Sequence, residues 1–125
     1  EKINESVLAI AKKAENRSES IVERAKKYID ENFRKDISLE DVSQRVDISS
    51  YYFSKIFKEE TGVNFIEYLT GLRMEEAKRL LEDTDLSIKE VCSEVGYSDP
   101  NYFSRNFKKY EGTTPTEARE KKRGQ

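Results

Sequence analysis

The sequence predicts an all-α protein. Its 125 residues include only two Pro and five Gly, so residues that interrupt helices are scarce. Between clusters of polar turn residues, apolar side chains recur at steps of three and four, the spacing of one helix face. No stretch shows the alternation of apolar and polar residues typical of a half-buried strand. We therefore expect helices alone, in one compact domain or in two very small lobes sharing a core.

The first half of the chain predicts a helix-turn-helix unit. An amphipathic helix is expected over 20–33, with its apolar residues along one face. A short helix over about 39–46, a tight turn, and a second helix over about 50–61 follow it. The predicted helix-turn-helix unit therefore spans about 39–61.

The second half repeats this layout after a connecting helix. Apolar residues at helical spacing predict the connecting helix over about 64–83. A second helix-turn-helix unit is expected at about 88–111, where Asp99 followed by Pro100 is typical of a helix start. A last short helix begins near Thr114.

An internal repeat supports the two units. ISLEDVSQRVDIS (37–49) matches LSIKEVCSEVGYS (86–98) at an offset of 49, and YYFSKIFKEETG (51–62) matches NYFSRNFKKYEG (101–112) at an offset of 50. One residue has therefore been inserted in the second turn. Two Phe residues four apart in each second helix lie on one face and predict core positions. Ser43 and Cys92 occupy equivalent positions, where a small side chain allows close helix packing.

The face opposite each Phe pair is a candidate DNA-reading surface. Asn bonds adenine N6 and N7, Arg bonds guanine O6 and N7, and Lys serves either bases or phosphates. The competing interpretation is that these are ordinary solvated helix residues. The candidates are Tyr51, Ser54, Lys55, Lys58, Asn101, Ser104, Arg105 and Lys108. For Tyr52 and Tyr102, which flank the Phe face, partial core packing is favoured over DNA contact.

Helix starts add candidate phosphate contacts, because their free N–H groups and the helix dipole attract anions. The alternative is that these hydroxyl residues simply cap helices. The candidates by position are Ser38, Ser49, Ser87, Ser98 and Thr114. Together with Lys58 and Lys108, they make up the predicted phosphate contacts.

Charge and composition narrow the function classes. The 23 basic and 25 acidic residues give a net charge of −2, which argues against nucleic acid as a partner. The alternative that this total supports is an adaptor protein that does not bind DNA. The charge is uneven, however: 10 basic and 11 acidic residues in 1–50, 6 and 11 in 51–100, and 7 and 3 in 101–125. A DNA-reading surface needs only a local basic patch. The absence of His, of a phosphate-binding glycine loop and of a nucleophile–base set argues against an enzyme, and no metal site or cofactor is expected.

The N-terminal region predicts a connection to something upstream. Because the chain starts at Glu1 and not Met, we expect a fragment or processed product with a further domain before it. Residues 1–20 carry a short apolar stripe, which fits either a linker helix from a sensing, dimerising or receiver domain or a helix folded back on its own domain. No membrane span or signal peptide is evident, so a soluble, cytoplasmic protein is expected.

The second copy, SIKEVCSEVGYSDPNYFSRNFKKYEGTTPTEAR, resembles the DNA-binding domain of the AraC/XylS transcriptional regulators. The resemblance covers about 21–120, and we place the domain at 21–122. It implies seven helices with two helix-turn-helix units that form a homeodomain-like pair. It also implies binding to double-stranded promoter DNA, often with contact to RNA polymerase. A homodimer formed through a missing N-terminal region is a further expectation. It also implies base-reading roles for Tyr51, Ser54, Lys55, Asn101, Ser104 and Arg105.

Two details refine this expectation. Asp47 stands where the family commonly has Gly in the first turn, so that turn is expected to be strained although Asp tolerates the left-handed conformation. A connecting helix of about twenty residues is roughly 30 Å long. Because successive major grooves lie about 34 Å apart, one chain is expected to place two recognition helices in adjacent grooves.

Overall fold

The computed structural model describes residues 20–124, and all of the predicted linker stretch 1–20 except Ser20 lies outside them. Within the described range the chain forms seven helices and no strand, as predicted. The helices are α1 (Ser20–Asn32), α2 (Leu39–Arg45), α3 (Ser50–Thr61), α4 (Phe65–Asp83), α5 (Ile88–Glu94), α6 (Pro100–Glu111) and α7 (Pro115–Arg123).

The helix ends depart from the predicted ones by one residue at most. The helix predicted to reach 33 ends at Asn32, and the one predicted to reach 46 ends at Arg45, with Val46 as its C-terminal cap. In both units the second helix ends at glycine, Gly62 after α3 and Gly112 after α6. None of the described helices is long and apolar enough to cross a membrane.

Side-chain caps fix where the short helices begin. Ser38 Oγ accepts a hydrogen bond from the backbone N–H of Asp41 at 3.1 Å, and the Asp41 carboxylate accepts one from the Ser38 N–H at 2.9 Å. Ser87 and Glu90 make the same reciprocal pair at the start of α5. These boxes satisfy N–H groups that lack partners within the helix, so each short helix has a defined first residue.

The described residues divide into two compact units. Unit one comprises the described part of Glu1–Glu31 together with Ser38–Asn64, and unit two comprises Asn32–Ile37 and Phe65–Gln125, of which Gln125 is not described. The predicted connecting helix α4 therefore belongs to unit two, where it packs against α5, α6 and α7.

Each unit is built around its Phe pair. In unit one, the side chains that are buried from solvent are Val22, Ala25, Ile29, Val42, Ser43, Val46, Phe53 and Phe57. In unit two, a core cluster consists of Met74, Ala77, Leu80, Leu81, Val91, Cys92, Val95, Phe103 and Phe107. On α4, Met74 is fully buried whereas Ile66 is 63% exposed, so not every apolar side chain of the connecting helix faces the core.

Arg73 on α4 holds the segment 32–37 in unit two. Its guanidinium donates hydrogen bonds to the backbone oxygens of Phe33 at 2.8 Å and Lys35 at 2.9 Å. The same group lies 5.4 Å from the centroid of the Tyr97 ring, a cation–π distance. The loop that follows α1 is thereby part of the second unit and not of the first.

Candidate nucleic-acid interface

The helices α3 and α6 carry the predicted contact residues, and they present them in the same way. Position by position, all twelve residues of α3 share their burial class with the residue fifty positions later in α6. Phe53 and Phe57 are fully buried with ring centroids 5.3 Å apart, and Phe103 and Phe107 are fully buried at 6.0 Å. Each Phe pair anchors its helix, so the opposite face of each helix is presented to solvent.

Four of the six predicted base-contact residues are exposed on that face. They are Tyr51, Lys55, Asn101 and Arg105. Tyr51 is 82% exposed, more than any other large apolar side chain described. The Arg105 guanidinium lies 6.0 Å from the centroid of the Tyr102 ring, at the outer limit of a cation–π contact.

The two predicted serines differ from the other four. Ser54 and Ser104 are half-buried at equivalent positions, at the margin of the exposed face. A short hydroxyl at this depth reaches less far than Lys55 or Arg105. Each recognition helix thus carries three candidate base contacts, and the serine is less exposed to solvent than the other two.

Charge distinguishes the two faces. Helix α3 carries Lys55 and Lys58 against two glutamates, Glu59 and Glu60. Helix α6 carries three cations, Arg105, Lys108 and Lys109, against Glu111 alone. The second helix has the more positive surface, which favours an anionic polymer as its partner.

The helix starts predicted to contact phosphate fall into two groups, those with a carboxylate in a capping box and those without one. At α2, α5 and α7 the caps Ser38, Ser87 and Thr114 already share a capping box with a carboxylate, from Asp41, Glu90 and Glu117 respectively. The pKa of the Glu90 and Glu117 carboxyls is lowered, first by the hydrogen bond from the backbone of the cap residue and then by that from its side chain. Negative charge is therefore in place at these three helix starts, which weakens their attraction for phosphate.

The start of α3 lacks such a carboxylate. Ser49 caps it by accepting from the Tyr52 N–H at 3.1 Å, and its first turn contains no acidic residue. The equivalent start of α6 is capped by Asp99 and not by Ser98, which is exposed one residue earlier. Ser98 consequently has no capping role at α6, and as a phosphate contact it stays a prediction.

The two turns differ as the repeat indicates. The loop between α2 and α3 has four residues and the one between α5 and α6 has five, in agreement with one residue inserted in the second turn. Asp47 adopts φ +61° in the first turn, the left-handed conformation expected of it, and Gly96 adopts φ +96° in the second. A Cβ on Gly96 would lie 3.0 Å from the Arg34 carbonyl oxygen and 3.2 Å from that of Phe33, so only glycine fits there without movement.

The small residues Ser43 and Cys92 are buried between the two helices of their units. Ser43 Oγ lies 2.9 Å from Ser50 Oγ and donates to the Glu40 carbonyl oxygen at 3.0 Å. Cys92 Sγ donates to the Tyr97 carbonyl oxygen at 3.5 Å, and burial raises the pKa of its thiol. A buried, protonated thiol fits the predicted packing role, because the thiolate is the reactive form.

Tyr52 and Tyr102 are each about half exposed, at 49% and 51%. The Tyr102 ring packs beside that of Tyr97, with centroids 5.9 Å apart. For Tyr102 the partial packing predicted from the sequence is therefore present. Sequence reasoning missed Arg73 and Arg119, which tie helices to neighbouring backbone, because no motif marks a buried carbonyl as their partner.

Comparison with known proteins identifies the class to which this architecture belongs. The helix-turn-helix domain family matches residues 42–121. The C-terminal domain of AraT, a response regulator from Geobacillus stearothermophilus, is 42% identical, with a TM-score of 0.80 over 82% of this chain and 85% of that one. The DNA-binding domain of the transcriptional factor AdpA, solved with a target DNA, is 25% identical, with a TM-score of 0.79 over 82% of this chain and 93% of that one.

A curated relative is longer than this chain. The HTH-type transcriptional regulator YijO of Escherichia coli K12 is 39% identical over 104 residues, which is 83% of this chain and 37% of YijO. The chain thus spans little more than a third of that protein. It belongs to the AraC/XylS family, as a DNA-binding domain of the kind found in these transcription regulators.

Proposed function

We propose that this domain binds promoter DNA sequence-specifically by placing α3 and α6 in adjacent major grooves. The observation that carries the proposal is the duplicated recognition helix, with one buried Phe pair and one exposed polar, cationic face in each copy. An α-helix presented this way fits the width of the major groove. The duplication gives a single chain the two readers that other helix-turn-helix proteins obtain by dimerising.

The length of α4 supports the spacing. Its 19 residues at about 1.5 Å per residue give a helix of about 28 Å. Successive major grooves are about 34 Å apart, which is a few ångströms more than the length of this helix. The proposal therefore includes bending of the duplex or partial insertion of one helix.

The proposed roles follow residue type and exposure. Asn101 and Arg105 read bases in one half of the site, and Tyr51 and Lys55 read bases in the other, with Ser54 and Ser104 in supporting positions. Lys58 and Lys108 contact phosphates, and the start of α3 at Ser49 offers phosphate the N–H groups of a helix without a carboxylate in its first turn. The starts of α2, α5 and α7 make weaker phosphate sites.

The role of the whole protein is proposed from its relatives. AraT is a response regulator, and a lactose operon transcription activator of Staphylococcus xylosus is 39% identical over 89 residues. We infer a regulator in which a sensory or receiver domain precedes this one and governs transcription activation. In that protein, contact with RNA polymerase, dimerisation through the preceding region and a location in the cytoplasm belong to the same proposal.

Salt dependence and one substitution test DNA binding. Affinity for a specific duplex should fall steeply with salt, with a log–log slope of about −0.9 per phosphate contacted. Arg105→Ala should weaken the specific site by about 1 to 3 kcal/mol and relax preference at one base pair, measured by fluorescence anisotropy against a panel of duplexes.

Lys89→Ala is the matched control, because Lys89 is an exposed cation of the same unit that lies outside α6. Its loss should weaken all duplexes equally, if it weakens any. A chain that binds no duplex at low salt would instead support the adaptor alternative, which the acidic total charge favours.

A further inference from the structure

A basic groove lies in unit one, away from the contact face of α3. Its lining comes from α1 and the end of α2: Arg24, Lys27, Tyr28, Glu31, Arg45 and Val46. The guanidinium of Arg45 lies 5.5 Å from the centroid of the Tyr28 ring, so an aromatic face backs the cationic group. Three cations against one carboxylate make the groove positive.

Unit two contains an equivalent surface. The buried residues Val22, Ala25 and Ile29 of α1 have the same spacing as Met74, Ala77 and Leu81 of α4, an offset of 52. That register places Glu76 at the position of Arg24. The repeat offset of 49 places Glu94 at the position of Arg45. Both charges are therefore reversed between the two units.

In unit two this surface is occupied by the chain itself. Arg34, in the segment 32–37, pairs with the carboxylate of Glu76 and lies 3.5 Å from that of Glu94. The backbone of the same segment accepts the two hydrogen bonds from Arg73. The docked feature is thus a short turn after α1 that inserts one cationic side chain between two carboxylates.

We propose that the basic groove of unit one binds an acidic polypeptide segment in the manner of Arg34, with a carboxylate between Arg24 and Arg45. The charge reversal at both equivalent positions is what specifies an anionic group. The segment in unit two supplies the template for how a polypeptide lies there. The groove thereby becomes a site at which an acidic segment of a partner protein contacts the DNA-binding domain.

DNA phosphate is the competing anion, and two observations favour a polypeptide. No residue of α3, the helix that carries the base-contact candidates, lines the groove. At the equivalent surface of unit two, the charged group that is bound belongs to a polypeptide, since Arg34 pairs there with Glu76 and Glu94.

Two peptides and a charge swap test the proposal in the 125-residue chain. The probe is a synthetic peptide of residues 31–37 carrying Arg34→Glu, and the natural peptide is its control. Titration is followed by backbone amide chemical shifts of α1 and α2. The substituted peptide should shift them to saturation, and the natural one should not. In the double variant Arg24→Glu, Arg45→Glu the preference should reverse, because that variant recreates the charges of unit two.

The controls make the outcome decisive. Lys26→Glu changes the same charge on α1 outside the groove lining and should leave the peptide preference unaltered. Helical circular dichroism checks that each variant folds. Equal shifts with both peptides, or none with either, would overturn the proposal. The proposal would also be overturned if the double variant lowered the log–log slope of DNA affinity against salt by about 2, because that result would show that the groove contacts two phosphates.

Discussion

The two helix-turn-helix units bury their recognition helices in the same way and differ in their turns, in the caps of those helices and in charge. Their recognition helices match in exposure at each of twelve positions. The first turn holds Asp47 on the surface, whereas the second holds Gly96 against the backbone of residues 33 and 34. The caps are Ser49 and Asp99. The buried Phe pairs determine which face of α3 and of α6 is exposed to solvent. The turn before each helix, its cap and its charge determine what that face can bind.

From this difference we expect the second unit to tolerate less change. The segment 32–37 packs on unit two through Arg73 and leaves no space for a side chain on Gly96. In unit one, Asp47 has an exposed side chain, and the basic groove takes the place of the docked segment. The second unit is therefore the more constrained, and its α6 is the more positive reader.

The largest expected effect separates the two turns. Gly96→Ala should lower the free energy of unfolding by about 2 to 5 kcal/mol, since it adds left-handed strain and a clash with backbone oxygens. Asp47→Ala should cost only about 1 kcal/mol, because its side chain is exposed and the strain alone changes. Urea unfolding followed by circular dichroism measures both. Equal costs would show that packing of residues 33 and 34 does not constrain the second turn.

A smaller effect is expected from removing the hydrogen bonds that hold residues 32–37 in unit two. Arg73→Met should cost about 2 kcal/mol, because the carbonyl oxygens of Phe33 and Lys35 lose a charged donor. Arg79→Met is the matched change on the same helix. The Arg79 side chain is 54% exposed, and Glu76 keeps Arg34 as a partner without it, so its loss should cost less than about 1 kcal/mol. Similar unfolding midpoints for the two variants would contradict a holding role for Arg73.

The smallest effect concerns the capping box of α5. Hydrogen bonds from Ser87 hold the pKa of Glu90 below its ordinary value of 4.5 in the folded chain. As pH falls, the Glu90 carboxylate is therefore protonated in the unfolded chain before it is protonated in the folded one. The stabilisation is complete above that value and is lost as pH falls through the lower folded pKa. Glu90→Gln should flatten this part of the profile of melting temperature against pH. Glu75→Gln, an exposed glutamate inside α4, should leave it unaltered.

Much of this architecture could be predicted from the sequence because its signals are local. Capping residues such as Ser87 and Asp99 fix helix starts within a few residues of themselves, and Phe spacing fixes the buried face. The left-handed turn at Asp47 follows from the family resemblance, which places Gly at that position. The exposure of Lys55 and Arg105 follows from the position of the Phe pairs opposite them.

The remaining features depend on contacts far apart in sequence. Arg34 and Glu76 are separated by 42 positions, and neither carries a local signal of its partner. Ile66 lies in an apolar pattern yet is exposed, and Met74 is buried, because the packing of α4 within unit two decides which apolar residues face the core.

The most direct test of two unequal readers is selection of binding sites from random duplexes, followed by sequencing. The account predicts a bipartite motif with half-sites about 10 base pairs apart and the stronger sequence preference in one half. Arg105→Ala should relax preference at one base pair of that stronger half, and Lys55→Ala should affect only the weaker half. A motif of one half-site, or a stronger half that responds to Lys55→Ala, would contradict it.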